Sequence, residues 1–151
     1  MTTEEATGIW IEFRVDGTPK PQGSKRAFVN PKTKRAIIVD DNKVELRDWR
    51  TDVKLMARKA MRDHPMIVQP SAVVLGVAFV MPRPLSTPKS RTPPAIKKPD
   101  IDKLLRAIMD ALSGTVYQDD AQVIGFDKLD KRIAEIGESP GATITVTEIL
   151  P

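Results

Sequence analysis

The 151-residue chain has no cysteine and a single histidine. The lack of cysteine excludes a disulfide framework, a thiolate zinc site and a cysteine nucleophile, and it suits a reducing cytoplasm. The one histidine, His64, has no cysteine and no second histidine as a partner, so we expect it to be exposed and structural. No other nucleophile system is evident, which directs attention to the carboxylates.

Long hydrophobic runs and a targeting leader are also missing. No uninterrupted apolar stretch approaches the length of a membrane helix, and the chain does not open on a basic segment followed by an apolar one. We therefore expect a soluble protein of the cytoplasm with no membrane partner. We expect residues 1–7 to be a flexible tail and residues 8–151 to be one domain, because this length can bury a single adequate core.

Acidic residues are absent from two stretches of an otherwise mixed sequence. Residues 17–35 and 82–98 together hold 11 of the 24 basic residues, whereas the remaining 13 basic residues are outnumbered by all 20 acidic ones. Positive charge concentrated in loops is expected where a protein contacts phosphates, so these stretches predict DNA binding. Each stretch taken alone is explained equally well by a solvated, flexible segment. The candidate DNA contacts are Lys20, Lys25, Arg26, Lys89, Arg91, Lys97 and Lys98.

Five aspartates surround one short predicted helix: Asp100, Asp102, Asp110, Asp119 and Asp120. We expect Asp100 to cap the start of the helix and Asp102 to lie in its first turn, while Gly114 ends it. The loop with Asp119 and Asp120 can fold back towards the same end, so that the carboxylates of Asp100, Asp102 and Asp120 converge. For any one of these acids alone, helix capping or a solvated loop is a sufficient explanation.

Carboxylates gathered in this way predict a site for a hard metal ion. Mg²⁺ and Mn²⁺ prefer oxygen ligands and usually take one or two protein carboxylates, with water and substrate phosphate in the other positions. The second basic stretch leads directly into Pro99-Asp100. A phosphate bound by that stretch would therefore be delivered to the acids.

The order Asp-Ile-Asp-Lys-Leu-Leu-Arg at 100–106, Asp-Ala-Leu at 110–112 and Asp-Asp-Ala-Gln at 119–122 resembles the RusA family of Holliday-junction resolvases. These are small phage and prophage endonucleases that cut four-way DNA junctions. The resemblance implies that Asp100, Asp102 and Asp120 are the metal-binding catalytic acids, with Asp119 as a candidate fourth ligand. It also implies Mg²⁺ as cofactor with Mn²⁺ as a substitute, a homodimer that cuts opposing strands, and a phage or prophage gene in a bacterial host.

Two positions depart from the family pattern, which has Asn after the second aspartate and a functional Lys three positions beyond it. This chain has Lys103 and Arg106 there. Arg106 keeps the positive charge but does not release a proton at neutral pH, so the pattern favours a phosphate clamp over a general acid. Lys103 is an alternative for the missing lysine. An i, i+4 ion pair with Asp102 is an equally good explanation of Arg106.

Hydrophobic periodicity predicts an α+β fold in which a mixed β-sheet packs with two principal helices. A helix is predicted over about 42–63, with Leu46, Trp49 and Val53 on its buried face, and a second helix follows Pro99. Trp49 is expected in the core rather than against a base. Strands are predicted at 9–15, 71–81, 122–131 and 142–149, and a hairpin at 27–30 and 36–39.

These observations predict a Mg²⁺-dependent endonuclease that resolves four-way DNA junctions by paired cuts. The alternative is a basic DNA-binding or assembly protein whose acids only cap helices and balance charge. Metal nucleases in which an acid-x-Lys triplet follows Pro-Asp are a poor match, because no such triplet follows Pro99-Asp100. No nucleotide cofactor is expected, since Gly23-Ser24-Lys25 lacks the full phosphate-loop pattern.

Overall fold

The computed structural model describes residues 8–23, 25–40 and 43–151. The tail predicted for residues 1–7 lies outside this part of the chain. The described elements, in chain order, are β1 (Trp10–Asp16), β2 (Lys25–Val29), β3 (Ala36–Asp40), α1 (Lys43–Met61), β4 (Ala72–Met81), α2 (Ile101–Leu112), β5 (Val123–Ile133) and β6 (Gly141–Ile149). A 3-10 turn, Asp120–Gln122, leads into β5.

Four strands form the main sheet in the order β1-β6-β4-β5. β6 is antiparallel to both of its neighbours, whereas β4 and β5 run parallel. This confirms the predicted α+β fold with a mixed sheet and two principal helices. β4 lies inside the sheet, and its residues Val73, Leu75, Val77 and Phe79 are fully buried. An almost continuously apolar strand suits this position, because no residue of β4 is exposed on either face.

The parallel pair β4 and β5 is joined by a crossover through α2. Parallel strands need such a connection, and here it consists of residues 82–99, called the basic loop below, followed by the helix. The carboxyl ends of both strands lie at one edge of the sheet. Near this edge, Lys131 Nζ of β5 donates a hydrogen bond to Pro99 O at 2.9 Å. The amino end of α2 is therefore held at the carboxyl edge of the parallel strands.

Both helices bury one apolar stripe. In α1 the buried residues include Leu46, Trp49 and Val53, as predicted, and Trp49 is only 4% exposed. Trp49 is therefore a core residue and not a surface for base stacking. In α2 the buried stripe is Leu104, Ala107, Ile108, Ala111 and Leu112, which leaves its aspartates on the opposite, more exposed side.

The strands β2 and β3 pair only with each other and form a separate two-stranded sheet. This confirms the predicted hairpin. Its turn is held by Asn30, whose Oδ1 accepts a hydrogen bond from Lys32 N at 2.9 Å. In the described part of the chain, no helix is both long enough and apolar enough to span a membrane.

Candidate active site

The helix α2 begins after Asp100, but the side chain of Asp100 does not cap it. Asp100 has the extended backbone of a cap residue, with φ −69° and ψ 145°, and its carbonyl oxygen accepts a hydrogen bond from Leu104 N at 3.1 Å. Its side chain makes no capping hydrogen bond. The predicted side-chain cap is therefore wrong: the backbone of Asp100 serves the helix, while its exposed carboxylate does not.

Asp102 and Arg106 are both exposed on α2. Among the described side chains, no salt bridge joins these two residues, so the ion pair that would have explained Arg106 does not form. The Arg106 guanidinium instead lies against Gly23, where an added Cβ would come within 2.8 Å of Arg106 Nη1. Gly23 also has φ +86°, which other residues rarely adopt. This close contact places Arg106 where the first basic stretch meets α2.

Gln22 connects the first basic stretch to both helices. Its backbone N donates to Lys103 O at 3.0 Å, and its side-chain amide donates to the Asp110 carboxylate. Arg50 of α1 donates to Gln22 Oε1 at 2.9 Å and lies 3.8 Å from Asp110 Oδ2. The side chains of Gln22, Arg50 and Asp110 are all partly buried. The segment that carries Lys20 is therefore held against α2 rather than left as a free loop.

The fully buried Tyr117 holds Asp120 in place. Tyr117 Oη donates to Asp120 Oδ1 at 2.9 Å and lies 3.4 Å from Met109 O. Partial burial raises the pKa of Asp120, the hydrogen bond from Tyr117 opposes this rise, and the charges of Asp110 and Asp119 add to it. Burial, together with the nearby acids, likewise raises the pKa of the Tyr117 hydroxyl. Asp120 thus occupies a partly desolvated, negatively charged position where a cation would be stabilising.

Asp119 has a structural role in the 3-10 turn. Its side chain accepts a hydrogen bond from Ala121 N at 2.9 Å, while Asp119 N donates to Gln122 Oε1 at 2.9 Å. This reciprocal arrangement is a capping box. It engages one carboxylate oxygen of Asp119, and the predicted role of this residue as a fourth metal ligand stays a prediction.

The acids divide between the two ends of α2. Asp102 and Asp110 are eight residues apart, about 12 Å along the helix axis, and Asp120 lies beside the later part of the helix, next to Met109. Within residues 8–23, 25–40 and 43–151, no three His, Asp or Glu side chains are close enough to hold one metal ion together. The expected convergence at the amino end is therefore not observed there, and the metal-binding roles of Asp100, Asp102 and Asp120 stay predictions.

The donor atoms nevertheless suit Mg²⁺. Asp100 and Asp102 present exposed carboxylates, and Asp120 presents one whose pKa is raised first by partial burial and then by the charges of Asp110 and Asp119. Mg²⁺ needs only one or two protein carboxylates, since water and phosphate oxygens complete its coordination. A preassembled group of three acids is therefore not required for these residues to bind it.

The family model described as endodeoxyribonuclease RusA matches residues 16–147. The chain belongs to the RusA family. This confirms the predicted resemblance and makes the protein a DNA-cleaving endonuclease by family. An uncharacterized protein of Bacillus subtilis (strain 168), YqaN, is 27% identical over 153 residues, which cover 92% of this chain and 96% of the relative.

In this RusA-family chain, the basic loop has a fixed internal structure. The Arg83 guanidinium donates to the carbonyl oxygens of Pro88 at 2.6 Å and Arg91 at 2.8 Å, and also to Thr92 Oγ1 at 2.7 Å. Lys131 Nζ donates to Lys97 O at 3.0 Å. These two positive charges tie the basic loop to itself and to β5.

The predicted DNA contacts have different environments. Lys89, Arg91, Lys97 and Lys98 are all exposed on the basic loop, and Lys20 is half-buried. The side chains of Lys25 and Arg26 lie outside the described part of the structure. All seven residues stay predictions as DNA contacts.

Sequence reasoning missed the residues that organise the RusA-family site. Asp110 belongs to the Asp-Ala-Leu motif, but the motif alone predicts no role for it, and Arg50 lies in α1, far along the sequence from that motif. Gln22 carries no sequence signal of its own. Tyr117, the only tyrosine of the chain, precedes the Asp-Asp pair by two positions, and this spacing was the one available hint.

Proposed function

We propose that this protein is a Mg²⁺-dependent, structure-specific endonuclease that resolves four-way DNA junctions by paired phosphodiester cuts. The observation that carries the proposal is the position of Asp100 and Asp102. Asp100 forms no side-chain cap, Asp102 forms no ion pair with Arg106, and both exposed carboxylates lie at the amino end of α2, where the basic loop ends. Exposed carboxylates beside concentrated positive charge are what a phosphodiester-cleaving site needs.

The chemistry follows from charge. Attack of water on a phosphodiester adds negative charge to a group that is already anionic, so cleavage requires compensating positive charge. Asp100, Asp102 and Asp120 would between them hold one or two Mg²⁺ ions, and such an ion would lower the pKa of a bound water and stabilise the leaving oxygen. Arg106 would act as a phosphate clamp, while Lys103 would be a candidate for proton transfer.

Paired cutting requires two sites, and we include a homodimer in the proposal. A two-fold symmetric dimer matches the symmetry of a four-way junction and presents one site to each of two opposing strands. The substrate partner is therefore branched DNA.

A non-catalytic DNA-binding protein is the second candidate. It is favoured by one observation, the lack of a preassembled group of three metal-binding side chains within the described residues. Both candidates predict binding that weakens with salt, so only cleavage separates them.

The test compares a labelled four-way junction with a linear duplex of the same sequence, each in Mg²⁺, Mn²⁺ or EDTA. Wild type, Asp102→Asn and a control, Asp52→Asn, are assayed together. Asp52 is exposed on α1, so the control removes an equal charge away from the site. Paired nicks in the junction alone, dependent on metal and lost only in Asp102→Asn, would establish the proposal. Tight binding of the junction without cleavage in either metal would instead establish the second candidate.

A further inference from the structure

A groove of about 860 Å³ lies next to the amino end of α2. It runs between residues 18–21 and the basic loop, and its lining includes Met81 and Ile133, the last residues of β4 and β5. Pro99, which precedes Asp100, also lines it. The groove therefore adjoins the proposed active site, at the carboxyl edge of parallel strands where α/β sheets commonly bind ligands.

The walls of this groove are largely apolar, and its charges are all positive. Seven of the 17 lining residues are prolines, three are lysines, three carry hydroxyl groups and none is acidic. The lysines are Lys20, Lys97 and Lys98. Apolar side chains pack against exposed nucleobases, hydroxyl groups bond to their edges, and lysines pair with phosphates. The apolar walls with their hydroxyl groups and the three lysines thus together favour a nucleotide over a purely apolar ligand or a cation.

The outer wall of the groove is held by hydrogen bonds to the basic loop. Arg83 and Lys131 bind the carbonyl groups of the basic loop, and Thr92 Oγ1 donates to Glu135 Oε2 at 2.7 Å. Binding to a preformed site avoids the entropic cost of ordering a loop. The volume also lies within the range of about 300–1,000 Å³ that is usual for sites of small organic ligands.

We propose that this groove binds an unpaired nucleotide of the DNA substrate, with the base against the proline walls and the phosphates at Lys20, Lys97 and Lys98. The inference rests on the proposed function and gives a physical reason for a preference for branched DNA. In a continuous duplex the faces of the bases are covered by stacking, and extracting one base costs the free energy of that stacking and pairing. A branch point offers bases that are more easily unstacked, so it fills the groove at lower cost.

The lack of cysteine in the chain allows a direct test with single-cysteine variants. Ser86 lines the groove, and Ser90, four residues further along the same loop, does not; both are exposed. Ser86→Cys and Ser90→Cys are alkylated with iodoacetamide, with and without 5′-phosphorylated thymidine trinucleotide. At a trinucleotide concentration well above its dissociation constant, we expect alkylation to slow about tenfold or more in Ser86→Cys and less than about twofold in Ser90→Cys, because only the first cysteine lies in the groove.

A groove-filling variant gives an independent measurement. Ala95 lines the groove, and Ala95→Trp places an indole inside it. Because the indole takes up volume that the base would fill, we expect this variant to lose about fivefold or more in junction affinity while its affinity for linear duplex changes by less than about twofold. Circular dichroism and thermal unfolding establish whether Ala95→Trp is folded. Should it not be, the serine-to-cysteine comparison in the otherwise native chain decides alone.

Several outcomes overturn the inference. Equal protection of both cysteine variants would mean that the trinucleotide binds non-specifically to the positively charged surface. No protection of Ser86→Cys at saturating trinucleotide would mean that the groove does not bind nucleotides. Protection of Ser86→Cys that rises with protein concentration without DNA would identify a second copy of the chain as the occupant.

The same experiments distinguish failure of the proposed nuclease function from failure of the groove proposal. Wild type that cuts junctions, combined with an unprotected Ser86→Cys, would refute the groove and leave the nuclease intact. Selective protection in a protein that cuts no junction in Mg²⁺ or Mn²⁺ would refute the nuclease and leave the groove as a single-strand site.

Discussion

Replacing Gln22 with methionine tests whether the first basic stretch is held by its contacts with the two helices. Methionine has a similar length but neither donates to Asp110 nor accepts from Arg50, so Gln22→Met removes both side-chain hydrogen bonds and keeps the backbone bond to Lys103 O. We expect lower stability and weaker binding of junction DNA, because the segment carrying Lys20 loses its attachment to α2.

The expected loss of stability follows from the charges of Arg50 and Asp110 and from the exposure of their side chains to solvent. A hydrogen bond to a charged group contributes about 1.5–3 kcal/mol when it is shielded from water. The side chains of Arg50 and Asp110 are 33% and 36% exposed, so solvent screening reduces each bond. We expect Gln22→Met to lower the free energy of unfolding by about 2 kcal/mol. For a domain of this size, that corresponds to a fall of roughly 4–8 °C in Tm.

The assay is urea denaturation at neutral pH, arranged as a double-mutant cycle with Asp110→Ala. A coupling energy of about 1 kcal/mol between the two positions is expected, with an unchanged dependence on urea concentration. Gln118→Met is the matched control, because Gln118 is exposed, and its effect should stay below about 0.5 kcal/mol. A coupling energy indistinguishable from zero would refute the conclusion that Gln22 ties this segment to α2 through Asp110.

Three further predictions concern the acids and the lysines. In EDTA, Asp120→Asn should be at least as stable as wild type at pH 8 and lose this advantage as the pH falls, because a carboxyl with a raised pKa destabilises the folded state only when ionised. Chemical denaturation between pH 4.5 and 8 measures the difference in the free energy of unfolding. The same variant should cut no junction. Tyr117→Phe should lower the free energy of unfolding by about 1 kcal/mol at pH 8 and by less at acid pH, because the lost hydrogen bond from Tyr117 favours the ionised form of Asp120. An equal loss at every pH would contradict this effect of Tyr117 on Asp120. Replacing Lys97 and Lys98 together by Gln should reduce the salt slope of junction binding by about 2 without changing Tm measurably, since both side chains are exposed; an unchanged slope would show that they do not contact phosphates.

The fold was predictable from the sequence because its strands and helices obey local periodicity. Alternating apolar residues mark β1 and β6, a continuous apolar run marks the inner strand β4, and the stripe containing Leu46, Trp49 and Val53 marks α1. Each predicted boundary lies within about two residues of the observed one, as expected for ends that fray. These signals are local, so each can be read without knowledge of the partner element.

The site was predictable only in part. The motif from Asp100 to Gln122 identified the family, which the match over residues 16–147 confirms. The contacts of the individual side chains were not predictable in the same way. A cap by Asp100 and an ion pair between Asp102 and Arg106 are favourable in an isolated helix, yet neither forms.

By itself, the sequence determined the elements, the family and the uneven distribution of charge, because these depend on neighbouring residues and on composition. Only the tertiary structure decided that Gln22 meets Asp110, 88 positions away, that Asp120 lies beside the later part of α2, and that the basic loop closes a groove around Lys97 and Lys98. Contacts between distant positions depend on how the whole chain packs its core, and hydrogen-bond partners are then chosen by proximity and by shielding from water rather than by spacing along the chain.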